Sequence, residues 1–509
     1  MLPEPSLHRE WHGAGNGMLP ETRHHRGRFG RTCPTALTDL GPQWAAQPTS
    51  SMKAIMNDNT TAVAASLTGS TITVLDAIMG SGKTTWAINH INATHTKNQS
   101  EVFDGLPGDR RILYVAPFLT EVDRIRGACP DLMFRDPQPI HGRKLFHLEK
   151  LIEDGHNVCT THALFSMLNK RIYERLREQN YTLIIDEVIT CVDLLKTLTV
   201  SDRKALFDGE YVLVDGADRL CWNHDKHPDY NGRYNDIKNL CDNGNLVVYG
   251  RDAKTSLPTV LMWEFPADFL RCFKNVFILT YMFHGSPMLS YFEAEGLSFE
   301  MRGIKGGRLV SWDNTNEAAI KAKLRSLVTI YDGKMNDIGA ARERCNPLSS
   351  SWFDRAPEGA LKNVRSSTEK FFERIAKTPS ALNGWTTFKK AKTPLKGKGY
   401  SRGFIPINAK ATNDYIEKRS MAYLANVFHQ PTIKGFFEHR GVPVYEDLHA
   451  LSEMIQWIWR SGIRKEEPTS INVFVPSERM RGLLIEWLSS DSTAALIAKR
   501  AAPPLKKAA

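Results

Sequence analysis

The residues best suited to chemistry lie in a glycine-rich turn over 77–82, inside the stretch 71–85, which reads TITVLDAIMGSGKTT. Glycines let the backbone aim several N–H groups at a triphosphate, which would also sit at the positive end of the following helix. Lys83 can then reach the β- and γ-phosphates, and the Thr84 hydroxyl can hold Mg²⁺. A chance glycine turn is the alternative, but the apolar run before it and the helical pattern after it favour a phosphate loop. The predicted nucleotide-binding residues are Gly80, Ser81, Gly82, Lys83, Thr84 and Thr85.

A pair of acids about 100 residues further along the chain fits the second half of a nucleotide site. The apolar run 181–185 predicts a buried strand that ends at Asp186 and Glu187. Ligands bind at the carboxyl ends of strands in open α/β sheets, so both acids are expected beside the glycine-rich turn. Asp186 is predicted to hold Mg²⁺, partly through water, and Glu187 to orient and deprotonate an attacking water. The alternative is an acid pair that faces solvent.

Three polar residues late in the chain, Gln456, Arg460 and Arg464, are spaced four apart. On a helix this spacing places them on one stripe. The apolar residues of the segment fall on another face, which should pack on a sheet: Leu448, Leu451, Ile455 and Trp459. Such a stripe can present guanidinium groups to a phosphate across a cleft, as an arginine finger does. The spacing alone fits a solvated arginine face or a salt-bridge ladder equally well.

The composition is that of a globular chain with a basic excess. Hydrophobic residues make up 42%, charged residues 24%, and the formal net charge is +10. This excess favours a polyanionic partner such as nucleic acid, although an ordinary basic protein remains the alternative. The eight cysteines form no CxxC pair, which indicates reduced thiols and a cytoplasmic location. No run of eighteen apolar residues is present, so we expect no membrane-spanning segment.

From about residue 66, apolar strands alternate with helical patterns. This alternation predicts an α/β fold with parallel sheets covered on both faces. A length of 509 residues suggests two or three domains. The expected divisions are a disordered N-terminal extension over 1–65, a first domain over 66–300 with an insertion near 194–270, a second domain over 301–490, and a basic disordered tail over 491–509.

Five residues are candidates for contacts with nucleic acid. Pro117 ends one predicted strand, and Thr160 and Thr161 end another, where small hydroxyl donors suit backbone phosphates. Thr412 and Asn413 follow a basic loop in the second half. That loop, residues 389–402, carries six lysines and arginines with Tyr400 among them. It fits either a phosphate contact with one stacking ring or a solvated loop.

Six short motifs follow one another along the chain in the order found in superfamily-two, DEAD-like helicases, and the chain resembles that family over about residues 70–488. The resemblance rests on GSGKT at 80–84, VAP at 115–117, TTH at 160–162, DE at 186–187, LT at 279–280, and the Gln456, Arg460 and Arg464 set. The second half looks like helicase-like proteins of tailed bacteriophages over 403–415, 456–460 and 476–481. Three departures from the family pattern are the acid motif DEVI at 186–189, Trp459 in place of a glycine, and Arg464, which comes one residue later than usual.

The resemblance implies two RecA-like P-loop domains in tandem, with ATP and Mg²⁺ in the cleft between them and nucleic acid across both. It implies that Lys83 and Thr84 bind ATP and the metal, that Glu187 is the base, and that Arg460 rather than Arg464 is the finger. The expected function is that of an ATP-hydrolysing helicase or translocase in phage replication or recombination. It would act on DNA rather than RNA in the host cytoplasm, alongside other replication proteins. A terminase-type DNA-packaging ATPase and an ATP-switched nucleic-acid-binding module are the alternatives.

Overall fold

The described part of this computed structural model covers residues 70–103, 111–140, 142–251, 258–312, 317–342, 345–409 and 414–501. It belongs to one compact unit that runs from Thr68. The predicted extension over 1–65 lies outside the described residues. The predicted α/β class, with parallel sheets in tandem, is confirmed.

The strands and helices alternate over most of the chain. The strands are β1 Thr71–Asp76, β2 Ile112–Ala116, β3 Val158–Thr161, β4 Thr182–Asp186, β5 Val192–Leu194, β6 Val212–Val214, β7 Leu220–Trp222, β8 Leu246–Arg251, β9 Pro258–Glu264, β10 Asn275–Thr280, β11 Phe299–Lys305, β12 Arg308–Ser311, β13 Val328–Ile330, β14 Asn383–Thr386, β15 Ser420–Tyr423 and β16 Ile471–Phe474. The helices of the first half are α1 Lys83–Phe103, α2 Leu119–Ala128, α3 Lys144–Glu153, α4 His162–Phe165, α5 Tyr173–Glu178, α6 Val200–Asp208, α7 Asn235–Asp242, α8 Ala267–Leu270 and α9 Pro287–Ala294. Those of the second half are α10 Glu317–Leu327, α11 Ser350–Arg355, α12 Glu358–Lys370, α13 Pro431–His439, α14 Glu446–Ile458, α15 Glu478–Ser489 and α16 Thr493–Ala501.

The first lobe is built on a sheet of order β12-β11-β1-β10-β4-β2-β3, in which β12 runs antiparallel to β11 and the other pairs are parallel. Its central strands are apolar on both faces. Ile72 and Val74 of β1 enter one core cluster, and Leu75 enters the cluster on the opposite face. Burial on both faces explains why these strands read as continuous apolar runs.

The first lobe reaches beyond residue 300, where the sequence pattern placed its end. The strand that begins at Arg308 falls inside the range predicted for the second domain, 301–490, but it is the antiparallel edge of the first sheet. Arg302 of β11 stands opposite Ser311 of β12 in that pairing.

The insertion near 194–270 forms a small antiparallel unit. Its strands make a sheet of order β5-β9-β8 and a two-stranded pair of β6 and β7. Leu206, Trp222 and Ile237 are among the residues that form its own core.

The second lobe has a parallel sheet of order β13-β16-β15-β14. Its core clusters lie on opposite faces, with Met421 in one and Ala422 in the other. Within the predicted disordered tail, Thr493–Ala501 instead forms α16. Arg500 of this helix pairs with Asp447 and Glu486.

Candidate nucleotide cleft

The glycine-rich turn joins β1 to α1 at the carboxyl edge of the first sheet. Gly80 and Gly82 have φ angles of 78° and 91°, which glycine adopts at little cost. The turn is closed by the Ser81 N–H, which donates to the Ile78 carbonyl at 3.1 Å. The Ser81 hydroxyl is buried and has no hydrogen-bond partner among the described residues. The sequence prediction of a tight turn that precedes a helix is therefore matched by the local geometry.

Lys83 occupies the centre of this turn. Its ammonium group donates to the Ala77 carbonyl at 2.6 Å. Burial lowers the pKa of Lys83, and the nearby carboxylates of Glu187, Asp76 and Asp186 oppose that shift. The cation is thus held inside the loop, where an anionic ligand would have a partner of opposite charge.

Asp186 comes to the same place at the end of β4. The neighbouring strand β2 supplies Tyr114, whose hydroxyl donates to Asp186 Oδ2 at 2.9 Å. Burial raises the pKa of Asp186 to about 6, Glu187 adds to the rise, and the Tyr114 hydrogen bond opposes it. A ring nitrogen of His162 lies 2.8 Å from the Asp186 carbonyl oxygen. The carboxylate therefore has a fixed position with one oxygen still available.

Glu187 breaks the regular backbone of the strand. Its φ angle is 67°, in the left-handed region, which costs a residue with a side chain on the order of 1 kcal/mol or more. The conformation is held because the Glu187 N–H donates to the Leu279 carbonyl at 2.9 Å. The turn leaves the Glu187 side chain lining the same cleft as Lys83. Strain of this kind is common where a side chain must be aimed at a ligand.

The second lobe faces this site with the C-terminal end of α14. The prediction that Gln456, Arg460 and Arg464 share one helical stripe is wrong, because α14 ends at Ile458. The chain turns after Arg460 because the Gly462 N–H donates to the Lys418 carbonyl at 2.8 Å. Arg464 lies in a short 3₁₀ turn. All three polar residues nevertheless line the cleft.

Arg460 is a nearly buried cation, with 5% of its surface exposed. One of its terminal nitrogens donates to the Gln456 carbonyl at 2.8 Å, while its buried Nε has no hydrogen-bond partner among the described residues. Burial lowers the pKa of Arg460 to about 10, and Glu453 and Glu187 oppose the shift. A guanidinium offers five N–H donors, so Arg460 keeps capacity for an anionic ligand.

Trp459 also lies in the cleft and was expected to pack on the sheet instead. A Cβ atom added to Gly80 would lie 3.0 Å from the Trp459 ring. The indole of the second lobe is therefore in contact range of the glycine-rich turn of the first lobe. The replacement of a family glycine by tryptophan was the only signal in the sequence for this contact.

The cleft has a volume of about 400 Å³, which is in the range of small-molecule sites. The sequence-predicted residues that line it are Gly80, Gly82, Lys83, Thr84, Thr85, Pro117, Asp186, Glu187, Gln456, Arg460 and Arg464. Sequence reasoning missed Glu121 and Arg124, which pair at 2.9 Å and also line the cleft. Their spacing of three residues on α2 was the available signal.

Asp76, directly before the turn, is a third residue that sequence reasoning missed. Its two oxygens accept hydrogen bonds from the N–H groups of Met282 and Phe283, at 2.8 and 3.1 Å. Burial raises the pKa of Asp76 to about 7, and these backbone bonds oppose the rise. Asp76 thus ties the start of the glycine-rich turn to the loop after β10.

Among the described candidate nucleic-acid residues, the structure brings Pro117 beside Thr160 and Thr161, because Val115 and Ala116 of β2 stand opposite Thr160 and Thr161 of β3. Thr160 is 1% exposed in β3, so its side chain offers no contact to a ligand in this structure. Thr161 caps α4 by accepting a bond from the Leu164 N–H. Pro117 lines the cleft, and Thr412 and Asn413 lie outside the described residues. Of the two alternatives for the basic loop, a stacking role of Tyr400 does not fit this structure, because that residue is only 1% exposed.

The fold defines a tandem α/β protein with a Rossmann-like C-terminal domain. The chain is 36% identical over 436 residues to the SPbeta prophage-derived uncharacterized protein YonV of Bacillus subtilis (strain 168). The matched region covers 82% of this chain and 99% of YonV. It therefore belongs to the YonV family. Two family models match: the YonV middle domain over residues 195–263 and the YonV C-terminal Rossmann-like domain over residues 322–488. The first match falls on the antiparallel insertion and the second on most of the second lobe.

Among solved structures, the chain is similar to one described as the DUF1998 helicase MrfA bound to DNA. The identity is 14% and the TM-score is 0.26. The match covers 80% of this chain and 46% of that helicase, so the chain spans about half of the helicase's length. Among the helices of the described residues, none has both the length and the apolarity needed to cross a bilayer.

Proposed function

We propose that the cleft binds and hydrolyses ATP with Mg²⁺, and that the chain is a nucleic-acid helicase or translocase of the superfamily-two, DEAD-like type. The observation that supports this most is the meeting of two lobes at one polar cleft. The first lobe contributes Lys83, Asp186 and Glu187, and the second contributes Gln456 and Arg460. These residues are up to 377 positions apart in the sequence.

The residues present fit the nucleotide and its metal. Arg460 lines the cleft and its buried Nε has no partner among the described residues, which would suit a phosphate oxygen. Lys83 would hold the β- and γ-phosphates, and Thr84 with Asp186 would hold Mg²⁺. Bound Mg²⁺ would neutralise charge on the phosphates. The hydroxyl of Thr84 and the carboxylate of Asp186 are oxygen ligands, which Mg²⁺ prefers.

Glu187 would orient and deprotonate the water that attacks the terminal phosphate. Arg460 would stabilise the negative charge that develops as the phosphoryl group is transferred. Closure of the lobes would exclude water and complete this constellation, and opening after hydrolysis would shift the contacts made to nucleic acid. The proposed domains are the two lobes, each built on one of the parallel sheets.

The proposed substrate is DNA, in the replication or recombination of a bacteriophage. Two features support a phage nucleic-acid role: the YonV relative is prophage-derived, and this chain has a formal net charge of +10. Other phage replication proteins would be its partners.

The test is the rate of ATP hydrolysis measured with single-stranded DNA, duplex DNA and RNA, at a fixed ionic strength because such binding is salt-dependent. We expect Mg²⁺-dependent hydrolysis that nucleic acid accelerates, and no turnover in Lys83→Ala. Absence of hydrolysis under all conditions would refute the proposal. Slow hydrolysis that nucleic acid leaves unchanged would favour the ATP-switched binding module.

A further inference from the structure

Most of the excess positive charge of the chain lies in one segment of the second lobe, residues 354–402. It contains twelve lysines and arginines and four acids, a net formal charge of +8 out of +10 for the whole chain. The remaining residues are therefore almost balanced in charge. A concentration of this kind is typical of a surface that binds a polyanion.

The backbone of this segment is anchored by Tyr400. The Tyr400 ring lies 5.2 Å from the ring of Phe372 and 5.2 Å from that of Trp385, and its hydroxyl donates to the Leu395 carbonyl. The Lys398 N–H donates to the Glu369 carboxylate of α12 at 2.8 Å. The loop that carries the lysines is therefore held against α12 and the edge strand β14.

The cations on this fixed loop point away from the core. Five of them are exposed: Lys389, Lys390, Lys396, Lys398 and Arg402. Lys390 pairs with Asp354 at 2.6 Å, and the other four make no ion pair with a described residue. An anchored loop with exposed cations can bind a polyanion without a large cost for ordering the backbone.

A short ladder of hydrogen bonds links this surface to the cleft. In the turn after Arg460, the Gly462 N–H donates to the Lys418 carbonyl. The N–H of the next residue, Arg419, donates to the Leu382 carbonyl at 2.9 Å. The side chain of Asn383, which follows Leu382, donates to the Gly399 carbonyl of the basic loop at 2.9 Å. The ladder crosses the amino ends of β15 and β14. Neighbouring strands are about 4.8 Å apart, so the surface begins roughly 10 Å from the turn that carries Arg460.

We infer that this basic surface binds the phosphodiester backbone of nucleic acid and does not read its bases. The segment has five aromatic residues: Phe371, Phe372, Trp385 and Tyr400 are buried, and the partly buried Phe388 packs on a core cluster and against the Phe353 ring. Contacts with phosphate alone carry no sequence information and depend strongly on salt. The inference rests on the proposed function, since a polyanion held on the second lobe would move with that lobe when the cleft closes.

The test uses the full chain with Lys396→Glu, Lys398→Glu and Arg402→Glu combined. The matched control combines Lys204→Glu, Lys323→Glu and Lys334→Glu, three exposed lysines outside the segment. Fluorescence anisotropy would measure binding to single-stranded DNA, duplex DNA and RNA, each in two unrelated sequences. Circular dichroism and the urea midpoint would verify that both variants are folded.

We expect the segment variant to bind at least about tenfold more weakly and the control to bind within about twofold of the unmodified chain. The slope of log affinity against log salt should fall by about 2 for single strands if three phosphate contacts are lost. Equal weakening in both triple variants, or binding that depends on sequence, would overturn the inference. So would preferential loss of binding to phosphatidylglycerol vesicles, which would indicate a membrane surface instead.

The failure of the inference is distinguishable from the failure of the proposed function. If the unmodified chain hydrolyses ATP faster with nucleic acid but the segment variant binds normally, the contact lies elsewhere and the enzyme proposal stands. If the segment variant loses binding while nucleic acid never alters hydrolysis in the unmodified chain, the surface stands and the motor proposal fails.

Discussion

The two lobes meet in two regions of opposite character. In the nucleotide cleft, two of the cations bond within their own lobe: Lys83 donates to its own turn and Arg460 to its own helix. At the second contact, which we call the seam, a buried polar network crosses between the lobes. At the cleft the lobes touch through apolar groups, since Trp459 lies against the glycine-rich turn and Ile78 of that turn enters the core of the second lobe. The buried polar contacts that join the lobes lie at the seam.

The seam is centred on Tyr281, in the loop after β10. Its hydroxyl donates to Glu317 Oε1 at 2.7 Å, lies 2.7 Å from the Thr493 hydroxyl, and accepts a bond from the Trp487 ring N–H at 2.7 Å. The Thr493 N–H donates to the other Glu317 oxygen at 2.8 Å. These partners come from α10, α15 and α16 of the second half. The groups are buried and satisfy one another, which makes loss of any one of them costly.

A helix from the second half reinforces the join. Phe436 and Phe437 of α13 belong to the main core cluster of the first lobe. Arg440, just after that helix, pairs with the buried Glu264 of β9 at 2.7 Å. We therefore expect lobe motion to pivot about the seam and α13, with the largest displacement at the cleft.

The cleft side of this comparison predicts the largest effect. Lys83→Ala removes the cation of the turn and Glu187→Gln removes the base, so each should lower the rate of ATP hydrolysis by about 10³-fold or more. A radioactive or coupled phosphate-release assay measures the rate. Glu187→Gln should still bind nucleotide, because the glycine-rich turn is intact. Full hydrolysis in Glu187→Gln would remove the assignment of the base.

Arg460→Ala should have the next largest effect. The loss of one charge-stabilising donor lowers kcat by about 10²- to 10³-fold in comparable sites. Nucleotide affinity, measured by titration of a fluorescent ATP analogue, should change only a few-fold. Arg464→Ala serves as the comparison and should cost less. If the two variants lose the same rate, Arg460 is not the specific contact to the terminal phosphate.

At the seam, Tyr281→Phe should lower the free energy of unfolding by about 2 kcal/mol. It leaves the buried Trp487 N–H and the Glu317 carboxylate each without one partner, and unsatisfied buried groups cost about 1–3 kcal/mol. Urea unfolding of the full chain measures the change. Tyr331→Phe is the control, because the Tyr331 hydroxyl has no hydrogen bond with a described residue. Equal unfolding midpoints for the two variants would argue against the seam.

The smallest predicted effect concerns acid. The rings of His429 and His449 stack with centroids 3.9 Å apart near the seam, and burial together with the His449 ring lowers the pKa of His429 to about 3. The unfolded chain takes up the proton first, with a pKa near 6.5, so stability is full above that pH and declines as pH falls toward 3. The free energy of unfolding should drop by about 1 kcal/mol between pH 7 and pH 5.5 through this residue.

His429→Gln tests that assignment. The variant lacks the titrating ring, so its urea midpoint should vary less between pH 7 and pH 5.5 than that of the unmodified chain. The same pH dependence in both proteins would exclude His429 as the source.

The site could be predicted from the sequence where the local residue pattern determines the backbone, and not where the backbone depends on distant contacts. The apolar runs that end at Asp76 and Asp186 must be buried strands, and parallel strands bring their carboxyl ends to one edge, so Lys83 and Asp186 were expected to meet. The end of α14 could not be foreseen. It depends on the Gly462 contact with Lys418, which is made only after the second sheet is assembled.

The same reasoning explains other misses. The strand β12 could either pair with β11 or begin a new sheet, and the local sequence of Arg308–Ser311 is compatible with both. Tyr400 reads as an exposed ring because it is surrounded by lysines, yet the hydrophobic contacts with Phe372 and Trp385 bury it. In each case long-range packing overrode the local signal.

The most direct test of the account is an experimental structure of the chain with Mg²⁺ and a non-hydrolysable ATP analogue. We predict the β- and γ-phosphates on the turn at Gly80–Thr84, the metal between Thr84 and Asp186, and Arg460 within hydrogen-bond distance of the γ-phosphate. A nucleotide bound elsewhere, or Arg460 turned away from the γ-phosphate in the closed cleft, would contradict the central claim.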